Sequence, residues 1–294
     1  MISLMRLLPG ELLNPLSPLP ADLTDLRLRP HRPAELVSPG KSRLAGPDVP
    51  PQGIERALTQ LSRHSLYAWE EELTQGFFTL SGGERVGVCG RFAVEGGRVT
   101  ALSRVYSVAI RVSRQVAGAA DRLMPYLYED GRPVSALILS PPGLGKTTLL
   151  RDAIRQLSSG TAYGRAARVA VADERCELAA CSSGGPTMDL GPRADVVDGC
   201  PKRLAMPLMV RALSPDVIAT DELGQAGDAE AALDAVRCGV RVLASVHAAD
   251  YQAARARPQL RELLASGAFD RVATLAAVGQ LGQVLDGRGR PIAR

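Results

Sequence analysis

Short apolar runs alternate with amphipathic stretches in the second half of the chain. Each run is followed by residues at helical spacing: VSALILS (134–140) by TTLLRDAIRQL (147–157), DVIAT (216–220) by AGDAEAALDAVRCG (226–239), and VRVLAS (240–245) by a polar turn and a further helix. Strand-like runs that alternate with helices are typical of a parallel sheet covered on both faces. We therefore predict an α/β domain over residues 131–294.

The preceding region has a different pattern. Residues 54–76 carry apolar side chains at helical spacing, and residues 77–103 have the pattern of short strands joined by Gly-Gly turns. The stretch 107–127 is predicted to be a strand that passes into a helix. These elements predict a smaller α+β domain over residues 53–130.

Residues 1–52 are predicted to be a proline-rich lead-in. Prolines recur between residues 9 and 51, in LSPLP, LRPHRP and GPDVPP. Because proline lacks a backbone donor and resists helix formation, we expect this segment to be extended or poorly structured. A loose arm is the favoured interpretation, and an arm that wraps a neighbouring molecule is the alternative.

The composition limits the class of protein. Hydrophobic residues make up 46% of the chain and charged residues 22%, as in soluble globular proteins. The start of the chain is too broken for a signal peptide, and no apolar run reaches the ~18 residues of a membrane span. Five cysteines without C-x-x-C spacing indicate reduced thiols. We expect a cytoplasmic protein that meets any membrane partner from the water side.

Nucleic acid is not an expected partner. The formal net charge is only +4, and the basic residues form no block apart from the short tail GRGRPIAR (287–294), which we interpret as a solvated end. Aromatic residues make up 4% of the chain, so Tyr67 and Trp69 are predicted to be core residues rather than a base-stacking platform.

The segment SPPGLGKTT (140–148) predicts a phosphate-binding loop between a strand and a helix. Gly143 and Gly145 let backbone amides turn toward phosphate oxygens, and the N-terminus of the following helix adds partial positive charge. Lys146 is expected to reach the β and γ phosphates, and Thr147 to give its hydroxyl to Mg²⁺. Ser140 replaces the usual first glycine, but the amide nest, Pro142 to Thr147 with Leu144 between the glycines, is intact.

Acidic residues follow two of the strand-like runs. Asp221 and Glu222 end DVIATDE, where a metal-binding acid and a general base are expected in nucleotide-hydrolysing proteins; a helix N-cap is the structural alternative. Asp173, Glu174 and Glu177 end VAVADERCE, where they either tune the attacking water or form a solvated turn.

A third run, VLASVH, ends in Ser245 and His247. A polar side chain at such a strand end can sense the γ phosphate, and with the surrounding pattern this role is favoured for His247 over a purely structural one.

These segments together resemble one family. ILSPPGLGKTTLLRD, VADERCELAA, ADVVDGCPK (194–202), SPDVIATDELG and LASVHAAD occur in this order and are similar to the stage III sporulation protein AA family, as are SLYAWEEELTQGFFTL, GERVGVCGR and IRVSRQVAGAADRLMPYL upstream. The resemblance covers residues 53–280. The family is related to the type II and type IV secretion ATPases, and a serine-proline-proline start of the loop is usual in it.

The resemblance implies a RecA-like P-loop ATPase core behind a smaller α+β N-terminal domain. It implies ATP and Mg²⁺ as cofactors, a hexameric homo-oligomer, and membrane channel proteins of the sporulation stage III complex as partners in the mother cell. Carried over to this sequence, it implies the following site: Pro142, Gly143, Leu144, Gly145, Lys146, Thr147 and Thr148 bind the nucleotide, Thr147 and Asp221 hold the metal, and Lys146, Glu174, Glu177, Glu222 and His247 serve catalysis.

The sequence departs from the family at three points. Gln225 stands where an arginine is common, Pro207 interrupts a helical run and predicts a kink or an early helix end, and Ala219 and Thr220 replace bulkier strand residues. These departures leave a nucleotide-dependent switch with little turnover as the second hypothesis beside an ATPase motor. A nucleic-acid motor is the third, and the mild charge disfavours it.

Two assignments stay open at this stage. The base is Glu174, Glu177 or Glu222, with Glu222 favoured because it directly follows Asp221. The arginine that reaches a neighbouring phosphate is Arg175, Arg193 or Arg211, and the sequence does not choose among them.

Overall fold

The computed structural model describes residues 8–20, 22–62, 69–80, 84–112, 115–181, 185–225 and 227–292. The chain divides into two compact units: Met1–Arg114 with Ala180–Thr187, and Gln115–Ala179 with Met188–Arg294. The domain limits that we predict at residues 52 and 130 differ from this division.

The first unit is built on a six-stranded antiparallel sheet. Its order is β3-β2-β1-β6-β5-β4, with β1 at Asp25–Leu28, β2 at Pro33–Ser38, β3 at Lys41–Asp48, β4 at Phe77–Thr79, β5 at Arg85–Glu95 and β6 at Arg98–Arg111. Its helices are α1 (Gly10–Leu13), α2 (Pro51–Leu61) and α3 (Glu70–Thr74). Leu26, Phe78 and Ile110 are fully buried in one apolar core with Ile54 of α2.

The loose arm expected at residues 9–51 is wrong, because three strands of this sheet come from it. Its prolines stand where no ladder donor is lost: Pro33 is the first residue of β2, and Pro51 is the first residue of α2. Side chains of β2 alternate between buried and partly exposed positions. A proline-rich composition therefore did not prevent regular pairing, since Pro33 and Pro51 begin elements and Pro47 lies at a register shift of the edge strand β3.

The predicted helix over 54–76 is two helices, α2 and α3, among the described residues. Trp69 precedes α3, and its ring lies 5.2 Å from that of Phe78 between centroids, which supports the predicted core position. Tyr67 lies outside the described residues. The predicted strand-to-helix passage at 107–127 is a strand, β6, followed by turns and a 3₁₀ turn at Met124–Tyr126.

The second unit contains a seven-stranded, mostly parallel sheet, which confirms the α/β prediction. Its order is β11-β10-β12-β13-β9-β14-β15, with β9 at Ala136–Leu139, β10 at Val169–Asp173, β11 at Ala194–Asp198, β12 at Val217–Thr220, β13 at Arg241–Val246, β14 at Arg271–Ala277 and β15 at Gln280–Asp286. Only β15 pairs antiparallel, and β7 (Tyr128–Glu129) and β8 (Arg132–Pro133) form a separate small hairpin. Every residue of β9, β10 and β12 is buried, as expected for strands covered on both faces.

In the described part of this unit there are five helices: α4 (Lys146–Ser159), α5 (Lys202–Leu213), α6 (Asp228–Arg237), α7 (Tyr251–Arg255) and α8 (Pro258–Ala265). The longest helix among the described residues, α4, has 14 residues, and none of the described helices is long and apolar enough to cross a membrane. Part of the basic tail is held to the sheet, because Asp286 accepts the backbone N–H groups of Arg288 and Arg290 at 2.9 Å each.

The early helix end predicted at Pro207 is wrong, since α5 continues through it to Leu213. Pro207 lies on the exposed side of α5, as does Arg203, whose carbonyl loses its intrahelical donor to the proline ring. Water can satisfy a carbonyl on that side, so the helix tolerates the proline.

Asp152 of α4 connects this helix to the turns that precede β7. One carboxylate oxygen accepts the backbone N–H of Ala120 at 2.9 Å and the side chain of Gln156 at 2.9 Å, while the other accepts Arg155 at 2.7 Å. Burial pushes the pKa of Asp152 up, but these donors outweigh burial and leave it below its ordinary value. The carboxylate therefore stabilises the folded state in its charged form.

We expect Asp152→Asn to lower the free energy of unfolding at pH 7 by about 2 kcal/mol. The amide has one acceptor oxygen in place of two and no charge, so some of the donors that contact the buried carboxylate lose their acceptor. A pKa lowered by folding gives stability above the ordinary value of 3.8 that is lost as pH falls, so the difference should shrink below that pH. Urea unfolding at pH 7 and at low pH measures both. The exposed Asp234→Asn on α6 is the control and should change little. An equal loss at both pH values would contradict the charge argument.

Candidate active site

The polar residues predicted from strand ends lie together at the carboxyl edge of the second unit's sheet. Strands β10, β12, β13 and β9 are neighbours and run parallel, so their carboxyl ends share one edge. Asp173 ends β10, Asp221 follows β12, and His247 follows β13. The glycine-rich loop 140–148 follows β9 at the same edge.

The loop turns through two glycines in the left-handed region. Gly143 has φ +82° and Gly145 has φ +85°, and α4 begins at the next residue. A Cβ on Gly143 would meet nothing within 4 Å, so the conformation, and not a lack of space, requires glycine there. No side chain caps the N-terminus of α4, which leaves its first amides available to an anion.

Ser140 completes the strand and lies outside the nest. It is fully buried, its N–H donates to the Val246 carbonyl at 3.2 Å, and its hydroxyl donates to the Pro141 carbonyl at 2.7 Å. Its own carbonyl lies 3.4 Å from Nδ1 of His247. The serine thus ties β9 to β13, and its side chain takes no part in the amide nest.

The turn between β14 and β15 supports the loop, and the sequence analysis did not anticipate it. The Gly279 N–H donates to the Leu144 carbonyl at 2.9 Å. Gly279 has φ +66° at the tip of the hairpin. No motif marks this contact, because it joins residues more than a hundred positions apart.

Lys146 and Asp221 are charged groups buried at this edge, 7% and 2% exposed. Burial lowers the pKa of Lys146, and the carboxylates of Asp221, Glu222 and Glu177 oppose that shift. Burial raises the pKa of Asp221 to about 6, against the pull of the Lys202 charge. One carboxylate oxygen of Asp221, Oδ1, makes no hydrogen bond within the described part of the chain. A buried carboxylate oxygen with no donor fits a cation or its water shell.

The described residues contain no cluster of three or more His, Cys, Asp or Glu side chains that could hold a metal. A metal here would take Asp221 and the Thr147 hydroxyl and complete its shell with water and phosphate oxygens. Mg²⁺ is usually bound in that way, through one or two carboxylates and the substrate's phosphates.

Lys202 is a site residue that the sequence analysis did not single out. It begins α5, is 2% exposed, and places Nζ 2.9 Å from Oε2 of Glu174 and 3.9 Å from Oδ1 of Asp221. The chain has three lysines, Lys41, Lys146 and Lys202, among 35 basic residues. Two of these three lysines are buried at this edge, and their scarcity in an arginine-rich chain was the available signal.

Glu174 is held on both oxygens. Lys202 contacts one oxygen, and the Gln225 amide donates to the other at 3.3 Å. Burial raises the pKa of Glu174, but the hydrogen bond and charge of Lys202 outweigh it and bring the pKa below its ordinary value. A carboxylate engaged in this way is a weak candidate for a base. Gln225 serves here as a partner of Glu174.

Asp173 supports the loop that carries the other acids. It is fully buried, and its two oxygens accept the backbone N–H groups of Glu177, Leu178 and Ala179 at 2.7 to 3.0 Å. Arg151 of α4 donates to the Glu177 carbonyl at 2.7 Å and to the Leu178 carbonyl at 2.8 Å. These bonds fix the backbone of residues 174–179 beside the glycine-rich loop.

Glu222 has an unusual backbone conformation that Ser245 holds. Its φ is +37°, its N–H donates to the buried Ser245 hydroxyl at 3.0 Å, and the next N–H, of Leu223, donates to the Ser245 carbonyl at 2.8 Å. Its carboxylate lies 3.2 Å from Arg175 and 3.8 Å from Nε2 of His247. A non-glycine residue in the left-handed region costs about 1–3 kcal/mol, and such residues are frequent at functional sites.

Arg175 is the one of the three predicted arginines that lies at this edge. Arg193 precedes β11 at the opposite edge, where its guanidinium donates to the Ser158 carbonyl at 3.2 Å. Arg211 lies in the last turn of α5 and donates to the Pro207 carbonyl at 3.2 Å. The structure thus brings Arg175 to Glu222 and keeps the other two arginines apart from it.

Comparisons with known proteins identify a family that the chain matches over nearly its whole length. The family model described as "Sporulation stage III, protein AA" matches residues 4–290. Stage III sporulation protein AA of Bacillus subtilis (strain 168) is 36% identical over 301 aligned positions, which cover 100% of this chain and 98% of that protein.

Solved structures of ATPases share the fold. The Legionella pneumophila ATPase DotB matches with a TM-score of 0.59 at 14% identity, over 90% of this chain and 77% of that one. The pilus retraction motor PilT with bound ADP matches with a TM-score of 0.58 at 15% identity, over 90% of this chain and 78% of that one. These likenesses show the predicted P-loop ATPase fold.

We expect Lys202→Met to lower the free energy of unfolding at neutral pH by about 3 kcal/mol, because it leaves Glu174 and Asp221 buried without their cation. Urea unfolding of the nucleotide-free protein measures the loss. Arg203→Met, at an exposed position next to it on α5, is the matched control and should change little.

The double variant Lys202→Met with Glu174→Gln should recover part of this loss, since one uncompensated charge is removed with its partner. A single variant as stable as the parent protein would contradict a compensating role for Lys202.

Proposed function

The chain belongs to the sporulation stage III protein AA family, and on that premise we propose that it binds ATP with Mg²⁺ and hydrolyses it. One observation carries the proposal. Lys146 and Asp221 are buried together at the uncapped N-terminus of a helix, and an oxygen of Asp221 has no donor within the described residues. Such a site holds a positive group and an open carboxylate where phosphates and their cation would lie.

Each residue of the loop has a role that follows from its position. The backbone N–H groups from Gly143 to Thr148, at the N-terminus of α4, cradle the phosphates, and Pro142, which has no N–H, leads into them. Lys146 contributes its charge to the β and γ phosphates. The Thr147 hydroxyl and the Asp221 carboxylate hold Mg²⁺, which when bound neutralises charge on the phosphates.

Glu222 is the base that the contacts favour. Glu174 has both oxygens occupied by Lys202 and Gln225. The carboxylate of Glu222 is 34% exposed, and its backbone is fixed by Ser245, so it can receive a proton from water at this edge. His247, 3.8 Å from the same carboxylate, is placed to contact the γ phosphate or to orient Glu222. Glu177 contributes negative charge near Lys146, and that charge opposes the lowering of the lysine's pKa.

The work that hydrolysis drives is proposed from the family. The B. subtilis relative is by name a stage III sporulation protein, PilT is a retraction motor and DotB is an ATPase. We place this chain in the mother-cell cytoplasm as a homo-oligomer, a hexamer, that energises assembly or transport at the channel between mother cell and forespore. Its partners would be membrane proteins of that channel, met from the cytoplasmic side.

A nucleotide-dependent switch with little turnover is the second candidate. The observation in its favour is the ion pair between Glu222 and Arg175, since a carboxylate held by arginine is a poorer base. Binding without turnover would then shape an interface with a partner.

Steady-state ATP hydrolysis with Mg²⁺, measured over a range of protein concentrations, tests the proposal. We expect a rate per subunit that rises with concentration, as an active oligomer requires, and that falls about 100-fold or more in Glu222→Gln. Glu222→Gln should still bind ATP, because its side chain lies outside the amide nest. Tight ATP binding without hydrolysis in the parent protein would favour the switch.

Lys146→Ala should abolish measurable ATP binding, since the nest loses its one lysine. Lys41→Ala, at an exposed lysine of the first unit, is the matched control and should bind and hydrolyse ATP like the parent protein. Unchanged ATP affinity in Lys146→Ala would rule out the phosphate-loop assignment.

A further inference from the structure

We propose that Arg175 is a contact of the nucleotide's terminal phosphate, and that it makes this contact by leaving the carboxylate of Glu222. The inference rests on the proposed function and adds a substrate-binding residue to it. In the structure the guanidinium and the carboxylate are 3.2 Å apart. With ATP bound, the guanidinium exchanges one anion for another and the carboxylate is released to act on water.

The strength of the pair decides whether the exchange is feasible. The side chains of Arg175 and Glu222 are 52% and 34% exposed, so the pair is not a buried one. Ion pairs with that exposure contribute only about 0.2–1 kcal/mol. A carboxylate and a phosphate can each accept two parallel charge-assisted hydrogen bonds from a guanidinium, but the terminal phosphate carries more negative charge. The phosphate is therefore the stronger partner.

The surrounding contacts determine which partner moves. The backbone of Glu222 is held in its left-handed conformation by two hydrogen bonds to Ser245. Its carboxylate keeps His247 nearby when the arginine leaves. Arg175 has a long, half-exposed side chain on a backbone that Asp173 and Arg151 anchor next to it. The side chain of Arg175 is thus the member of the pair that can move. Its backbone stays at the edge of the sheet where the phosphates would lie.

The arrangement also separates ATP from ADP. ADP lacks the phosphate for which Arg175 would exchange, so the ion pair persists with ADP and the base stays held. With ATP the released Glu222 faces water beside the γ phosphate. In this scheme each charged group exchanges one partner for another, and none is left buried without a partner. The free-energy cost of the exchange is therefore small.

A double-mutant cycle on nucleotide binding tests the inference without any measurement of hydrolysis. The affinities of Mg²⁺ with a non-hydrolysable ATP analogue, and of Mg²⁺ with ADP, are measured by calorimetry for four proteins: the parent, Arg175→Ala, Glu222→Gln and the double variant. We expect Arg175→Ala to weaken analogue binding about 10-fold, the size of one charge-assisted contact, and to leave ADP binding unchanged.

Glu222→Gln should tighten analogue binding a few-fold, because no ion pair has to be broken, and leave ADP binding unchanged. In the Arg175→Ala background the same change should have no effect on either ligand. Arg175→Lys, which keeps the charge but not the planar fork, should fall between the parent and Arg175→Ala for the analogue.

The contrary outcomes are distinct. Equal weakening of analogue and ADP in Arg175→Ala would show a purely structural arginine, and unchanged binding of both would show no contact; either result overturns the inference and leaves the ATPase proposal intact. A parent protein that binds neither ligand overturns both. Thermal unfolding of each variant, with Arg175→Lys as the milder change, separates a loss of contact from a loss of fold.

Discussion

Charged side chains are kept out of water at the carboxyl edge of the second sheet, among them Lys146, Lys202, Asp173 and Asp221. A buried charge is costly unless opposite charge or hydrogen-bond donors surround it, and the rest of the site is arranged to supply them. Asp173 takes three backbone donors, and Lys202 lies against Glu174 and Asp221. Burial raises the pKa of Asp221 to about 6, and its Oδ1 makes no hydrogen bond among the described residues.

The site therefore has two sets of charged groups. The interior consists of the buried residues Lys146, Lys202, Asp173 and Asp221, and the rim consists of the partly exposed residues Arg175, Glu222 and His247. The interior groups are buried against their partners, so exchanging a partner would leave a charge buried without compensation. Arg175, Glu222 and His247 are about one third to one half exposed, and the carboxylate of Glu222 lies 3.2 Å from Arg175 and 3.8 Å from His247. Water screens these contacts, so their rearrangement is inexpensive. Burial therefore divides the charged groups of the site into two sets. Rearranging the contacts of the buried set costs much free energy, and rearranging those of the partly exposed set costs little.

The sequence predicted those parts of this arrangement that depend on local pattern. The parallel strands, the glycine-rich loop and the acids after β10 and β12 follow from the alternation of apolar runs and helices, and from the rule that parallel strands end at one edge. The sequence did not predict contacts made across long separations. Lys202 ends the segment ADVVDGCPK, but that segment does not predict its contact with Glu174. Gly279 carries no motif, and its role arises from packing against Leu144. Strands β1 to β3 lie in a segment whose proline content predicts an extended or poorly structured chain. Whether such a segment forms strands depends on where each proline stands within an element, and not on how many prolines it contains.

Ser140 bears on how such proteins are detected. Its side chain is fully buried and bonded to its neighbour's carbonyl, so a nucleotide cannot sense whether serine or glycine is present there. A search pattern that demands glycine at this position tests the end of a strand, not the anion nest. Weighting each motif position by whether its side chain reaches the ligand would recover such loops, and would leave the strict requirements on the two glycines, the lysine and the threonine.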